Sequence, residues 1–224
     1  MAELIIFGIG RGADVATRYF RSDSEHEIVA YTVDDAWATR KEFMGRPVIP
    51  FSRVEEEIPA AQCRMFVPMG FQDMNGLRAA KYAAAKAKGY VLESYVSSRI
   101  LAWERPAFGE NCFILDGNVF DFDVKVGNNV VLWSANHVGD LCVIEDHAWI
   151  SSHAVLAGEV IVESRAFLGV NATISNHVRI GARSYIGANS LIVKDSPPDS
   201  VYVVQGTAPL AGIDSTRFLQ MVRS

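Results

Sequence analysis

The stretch VGDLCVIEDHAWISSHAVLAGEVIV, Val138 to Val162, sets an apolar residue at every sixth position: Val138, Ile144, Ile150, Leu156 and Val162. The register holds outward on both sides, through Leu132, Val126, Phe120, Ile114 and Phe108 in one direction and Leu168, Ile174, Ile180, Ile186 and Ile192 in the other. An amphipathic helix needs a period near 3.6 and a half-buried strand a period of about 2, so a sustained six is neither. It is the period of a parallel β-helix in which three hexads close one triangular coil, and the run supplies about five coils.

A second column lies four residues after each of these and reads Cys112, Asn118, Val124, Val130, Asn136, Cys142, Ala148, Ala154, Val160, Ala166, Ala172, Val178, Ser184 and Ser190. Small or β-branched residues fill it nearly throughout, as a narrow prism requires if both columns point inward and only the first carries bulk. Glycine follows the apolar residue at Gly109, Gly127, Gly139, Gly169, Gly181 and Gly187. Each face must turn a corner there, and a residue without Cβ turns most easily.

The repeat claims only the C-terminal half of the 224 residues, so a separate N-terminal domain is expected. Half the chain is apolar (50%), 21% is charged and the formal net charge is -5. That composition describes a soluble globular protein without the basic patch that phosphate backbones demand, which argues against a nucleic-acid partner. The start MAELIIFGIGR places Glu3 before its apolar run, the wrong order for a signal peptide, and no segment is long and apolar enough for a membrane span. Cys63, Cys112 and Cys142 are odd in number and widely spaced, and two fall in the inward column. They read as reduced core residues of a cytoplasmic protein.

In the N-terminal half, a strand Leu4–Phe7 runs into Gly8-Ile9-Gly10-Arg11-Gly12-Ala13 and then the helical Val15–Phe20. This G-x-G-x-x-A turn presents free N–H groups and the positive end of a helix dipole, which suit a phosphate; the fingerprint alone also fits a plain tight turn. A strand Glu27–Val33 ends in Asp34-Asp35, where the acid of a nucleotide-binding βαβ unit meets a ribose or base. A third strand is expected at Met65–Met69, a helix at 75–88, and a last strand at Gly89–Ser94 leading into the prism. The fingerprint also admits a dehydrogenase, but the β-helix supplies no hydride-transfer domain. The expected segments are 1–100, 101–196 and a tail, 197–224.

A Rossmann-like βαβ domain followed by a left-handed parallel β-helix of hexapeptide repeats, an α/β plus all-β architecture, resembles the NeuD and PglD group of sugar acyltransferases. The resemblance covers nearly the whole chain, including Asp34-Asp35 and Gly45-Arg46-Pro47-Val48-Ile49-Pro50. It implies a homotrimer that moves an acetyl group from acetyl-CoA to an amine or hydroxyl of a sugar, often a nucleotide-linked one. By the same likeness Gly8, Gly10, Arg11, Asp34 and Asp35 hold the nucleotide sugar. The CoA lies in the groove between neighbouring prisms, against Gly158 and Asn176. The closing segment Val201–Pro209 is similar to the family's, without its usual following basic residue.

Acyl transfer needs a base for the attacking group and donors for the oxyanion on the thioester carbonyl. The family's base is a corner histidine two residues after an apolar column residue, and this sequence has Asp140 there. His137, three residues earlier, is the expected replacement, oriented by Asp140; His153, on another corner, is the second candidate. A non-catalytic trimeric nucleotide-sugar-binding protein that has lost the family base is the alternative reading. A metal enzyme on the same β-helix ranks last, because His137, His153 and His177 fall on different corners or distant coils, and no metal is expected.

Overall fold

The computed structural model describes residues 2–222; Met1, Arg223 and Ser224, at the ends of the two outer expected segments, lie outside the described residues. The N-terminal domain is built from β1 (Glu3–Phe7), α1 (Arg11–Asp23), β2 (Glu27–Val33), β3 (Glu42–Phe43), β4 (Arg46–Pro50), α2 (Val54–Glu57), β5 (Arg64–Phe66) and α3 (Gly76–Ala87). Its sheet runs β3-β4-β2-β1-β5, parallel except for the hairpin of β3 with β4. On α1 the buried residues are Ala13, Ala16, Thr17 and Phe20, a spacing of three and four that puts one stripe on the sheet.

Two strands are shorter than the sequence suggests. The third ends at Phe66 because Val67 gives its N–H to the Asn111 side chain, at 2.8 Å, and Pro68 has none to give. At Gly89–Ser94 only a single bridge forms, Met65 with Leu92. The β3–β4 hairpin was not foreseen as strand.

The C-terminal half is a three-faced prism with parallel strand partners eighteen residues apart, as in His137 with Val155 and Trp149 with Phe167. Its faces hold seven, six and five two-residue strands. Hydrogen bonding begins at Tyr95–Val96 and ends at Val201–Tyr202. Both inward columns are buried from Cys112 to Ile192. Where Asn interrupts them, Asn136 donates to Asn118 Oδ1 at 2.9 Å and the Ala154 N–H donates to Asn136 Oδ1 at 2.8 Å, so the interior amides satisfy each other along the axis.

Corner geometry differs from the expectation in its cause. The left-handed residue of each corner is the third after the apolar one: Asn111, Asp123, Asn129, His147, His153 and His177 all have φ between 55° and 66°, and Gly117 (φ 71°) is the glycine that takes this place. The glycines directly after the apolar residue answer a different need. A Cβ on Gly139 would stand 2.8 Å from the Ala157 carbonyl carbon, and one on Gly181 2.4 Å from the Pro198 nitrogen. They allow one coil to lie on the next.

The N-terminal domain sits on one face of the prism, the docked face, whose outward residues Tyr95, Phe113, Val131, Trp149 and Phe167 are buried with Leu4, Ile6, Phe20 and Phe66 in one cluster. From this face the chain turns a corner to the open face (Leu101–Ala102, Val119–Phe120, His137–Val138, Val155–Leu156, Thr173–Ile174 and Leu191–Ile192). It then turns the far corner, the vertex opposite the docked face, to the third face. Across the junction, Arg78 on α3 is 1% exposed and donates to the carbonyls of Asn129 and His147 and to Asn75 Oδ1, while Asn75 Nδ2 donates to the Arg165 carbonyl.

Candidate active site

At the C-terminal ends of β1 and β2 a cleft of about 600 Å³ is lined by Gly8, Gly10, Gly12, Asp34, Trp37 and Arg40, among others. Three glycines there meet three requirements. Gly8 has φ 107° and gives its N–H to the Thr32 carbonyl at 2.6 Å; Gly10 caps α1 with open space where a Cβ would be; a Cβ on Gly12 would meet the Pro68 oxygen at 2.4 Å. The first N–H groups of α1 have no intrahelical acceptor and stand at this end of the cleft. Asp34 lines it and pairs with Lys81.

Two other expected substrate residues are placed differently. Arg11 lines the adjoining clefts between α1 and the docked face, beside Trp133. Asp35 accepts from the Ser52 hydroxyl at 2.6 Å and the Ser52 N–H at 3.1 Å, and those bonds hold its carboxyl below the usual aspartate value. It pins the chain after β2.

The far corner gathers the second set. Asp140, Gly158 and Asn176 occupy the same corner position on three successive coils. The Asp140 carboxylate stands over Gly158 so closely that a Cβ there would meet Oδ1 at 2.7 Å. Asn176 Oδ1 accepts the Gly158 N–H at 2.9 Å. The same device recurs on the neighbouring corner, where Asn128 Oδ1 accepts from the Glu110 N–H at 2.9 Å and Asp146 Oδ1 from the Asn128 N–H at 2.6 Å. It closes corner amides that the turn leaves open.

His137 opens the open-face strand that runs into this corner, and 44% of its side chain is exposed. The carboxylate beside it is Asp121, with Oδ2 3.6 Å from Nε2, rather than Asp140 as the sequence reading had it. The reason is the coil stagger. An outward residue at the start of a strand lies above the first corner residue of the coil beneath, whereas Asp140 is carried on around the turn to Gly158.

His153 lies on the corner between the docked and open faces, away from Asp140 and Gly158. With His147 and His177 it fills the left-handed corner register, φ 66° for His147, 62° for His153 and 61° for His177, which favours Asn, Asp and His for backbone reasons. His137 is on a strand, so no backbone demand accounts for it. His147, read from sequence as an ordinary surface turn residue, is half-buried against Tyr82, with Nδ1 2.8 Å from Asn129 Nδ2. Burial and then the nearby Arg78 charge hold its imidazole below the ordinary histidine value.

The three cysteines are buried and free. Burial pushes the Cys142 thiol up to about 11, and its Sγ faces the Ala157 carbonyl at 3.0 Å; Cys112 is likewise raised to about 11 and Cys63 to about 12. Such thiols stay protonated near neutrality and are poor nucleophiles. Among the described residues no group of three or more His, Cys, Asp or Glu gathers to hold a metal ion, and no helix is long and apolar enough to cross a membrane.

No protein-family model matches the chain, and no curated protein matches it. Solved structures do. PerB from Caulobacter crescentus in complex with CoA and GDP-perosamine is 24% identical, with a TM-score of 0.78 over 90% of this chain and 93% of that one. A histidine-to-asparagine mutant of perosamine N-acetyltransferase from the same organism, with the same two ligands, is 25% identical with a TM-score of 0.76 over the same shares. The acetyltransferase domain of PglB from Neisseria gonorrhoeae in complex with acetyl coenzyme A is 20% identical, with a TM-score of 0.74 over 88% of this chain and 93% of that one. The fold is thus that of the hexapeptide-repeat acyltransferases with an N-terminal Rossmann-like domain. Within that class the perosamine N-acetyltransferase and the PglB acetyltransferase domain agree with the NeuD- and PglD-like resemblance carried by the sequence.

Proposed function

We propose that the protein moves an acyl group, acetyl in the simplest case, from acyl-CoA to an amino or hydroxyl group of a nucleotide-linked sugar. The observation that carries this reading is a match over 90% of the chain to an enzyme of the same two-domain architecture whose structure holds CoA and GDP-perosamine. The cleft at Gly8, Gly10 and Asp34 takes the nucleotide. The far corner takes the thioester end of CoA, where absence of a side chain at Gly158 permits close approach. For the Gly158 N–H to meet the thioester oxygen, the Asn176 side chain must turn aside from its 2.9 Å bond.

His137 is the base in this reading. With Nε2 turned to Asp121, Nδ1 is left to accept the proton of the attacking amine or hydroxyl as nitrogen or oxygen bonds to the thioester carbon, and the CoA sulfur leaves with the electron pair of the C–S bond. Asp140 holds the corner rather than the proton. Transfer is direct, because the buried cysteines offer no thiolate for an acyl-enzyme.

The nucleotide cleft lies in the N-terminal domain, which covers the docked face, whereas His137 and Gly158 lie toward the opposite vertex, so one chain does not join them. A homotrimer, in which the far corner of one copy faces the nucleotide cleft of the next, completes the site. The cytoplasm, where acyl-CoA and nucleotide sugars meet, is the setting, and the building of surface polysaccharide the use. The test is CoA release from acetyl-CoA, followed with a thiol reagent, against UDP-, dTDP- and GDP-linked 4-amino sugars and free sialic acid. Turnover with one of them supports the reading. Nucleotide-sugar binding without CoA release from any acyl-CoA supports a binding protein instead.

A further inference from the structure

Trp37 is 67% exposed and lines the nucleotide cleft, and its backbone is fixed there. Its backbone N–H donates to the Asp34 carbonyl at 2.7 Å, its own carbonyl accepts from the Thr39 N–H at 2.7 Å, and the neighbouring Asp35 is pinned by two bonds from Ser52. Leu77, at the start of α3, lines the same cleft and is 40% exposed. Scattered exposed apolar residues are ordinary, but an indole and a leucine lining one cleft offer an apolar slot open to water. Beside the slot are a carboxylate, Asp34, whose Oδ1 is engaged by Lys81, and a guanidinium, Arg40.

We infer that this slot is the nucleobase site, that Trp37 is its stacking platform, and that Asp34 selects guanine. The inference rests on the nucleotide-sugar reading above and names the base. A purine covers more of an indole face than a pyrimidine does. A carboxylate accepts from both donors on guanine, N1–H and the exocyclic amine. Uracil and thymine offer it one N–H flanked by two carbonyl oxygens that repel it, and adenine offers an acceptor where guanine has N1–H. The Lys81 and Arg40 cations complement the guanine O6 and N7 acceptors, as cationic side chains do when they read guanine. Trp37 and Asp34 are thus binding residues for a guanosine diphosphate sugar.

The test is equilibrium binding of GDP, IDP and UDP to the full chain by calorimetry, without any acyl donor. GDP is expected to bind at least tenfold tighter than UDP. Trp37→Ala should weaken GDP by about tenfold or more and Trp37→Phe by no more than about threefold, in line with the worth of base stacking on aromatic side chains. IDP, which lacks only the exocyclic amine, should bind more weakly than GDP to the native protein and equally to Asp34→Asn. UDP binding as tight as GDP, or a Trp37→Ala variant with unchanged affinity, overturns the base assignment while leaving the nucleotide-sugar reading standing. No binding of any nucleotide overturns both.

Discussion

Asp121 Oδ2 lies 3.6 Å from His137 Nε2, one coil beneath it on the approach to the far corner. His177 has a nearer carboxylate, Glu159 Oε2 at 3.3 Å from its Nδ1, but it fills the left-handed corner register, whereas His137 is on a strand, three residues before the position at which the resembling family carries its base. Removing the imidazole should therefore cost turnover and spare binding. His137→Ala is expected to lower kcat by about 10²- to 10⁴-fold with little change in KM. Asp121→Asn should cost less, about tenfold, and steady-state kinetics on the two variants, with nucleotide-sugar affinity measured alongside, checks both.

Arg78 joins the two domains without a carboxylate partner. Its guanidinium meets the carbonyls of Asn129 and His147 and lies 5.8 Å from the Trp149 ring centre. Arg78→Met leaves those buried carbonyls without a donor, at about 1–3 kcal/mol for each unsatisfied group. Thermal unfolding should show a loss of about 3 kcal/mol, with the N-terminal domain released before the prism melts.

His147 gives the junction a sensitivity to mild acid. Its folded-state value is lowered by burial, so between that value and about 6.5 the unfolded chain binds the proton more readily than the folded one. The contribution to stability is complete above pH ~6.5 and falls away as the pH drops below it. Denaturant unfolding of the native protein from pH 7 to pH 5 should show that loss, and His147→Gln should remove the part of it owed to this residue.

The glycines separate into structural and binding classes by what a Cβ would meet. At Gly139 it would stand 2.8 Å from the Ala157 carbonyl carbon and 2.9 Å from the Gly158 nitrogen, both backbone atoms that cannot yield. Gly139→Ala should destabilise the prism by about 1–3 kcal/mol, the usual cost of overpacking. At Gly10 the Cβ meets nothing within 4 Å. Gly10→Ala should melt like the native protein and lose nucleotide affinity, by calorimetry, because the methyl group enters the phosphate end of the cleft.

The hexad made the prism legible, because its register repeats along the whole C-terminal half and each inward residue is independently required to be apolar or small. A longer period was equally present and went unread: every eighteenth outward residue from Tyr95 through Phe113, Val131, Trp149, Phe167 and Tyr185 is large and apolar, and this is the face on which the N-terminal domain sits. The Arg78 and Asn75 contacts had no such signal, since a basic residue on an Ala- and Lys-rich helix looks solvated until the carbonyls that receive it are in place. At the candidate site, register drew attention to the stretch 137–140 but not to the carboxylate beside His137. Asp121 and His137 become neighbours only through stacking of coils, sixteen residues apart in sequence. His153 drew attention as a corner histidine, and the positive φ of its register supplies a backbone reason for it.

The most direct measurement is mass spectrometry of a nucleotide-linked amino sugar after incubation with acetyl-CoA and either the native protein or His137→Asn. Stoichiometric acetylation of the sugar by the native protein, and its near-complete loss in a variant that still binds nucleotide and CoA, is the expected result. An acetylated product formed equally well by both would contradict His137 as the base. No product from any nucleotide sugar or acyl donor, with both ligands bound, would contradict acyl transfer itself.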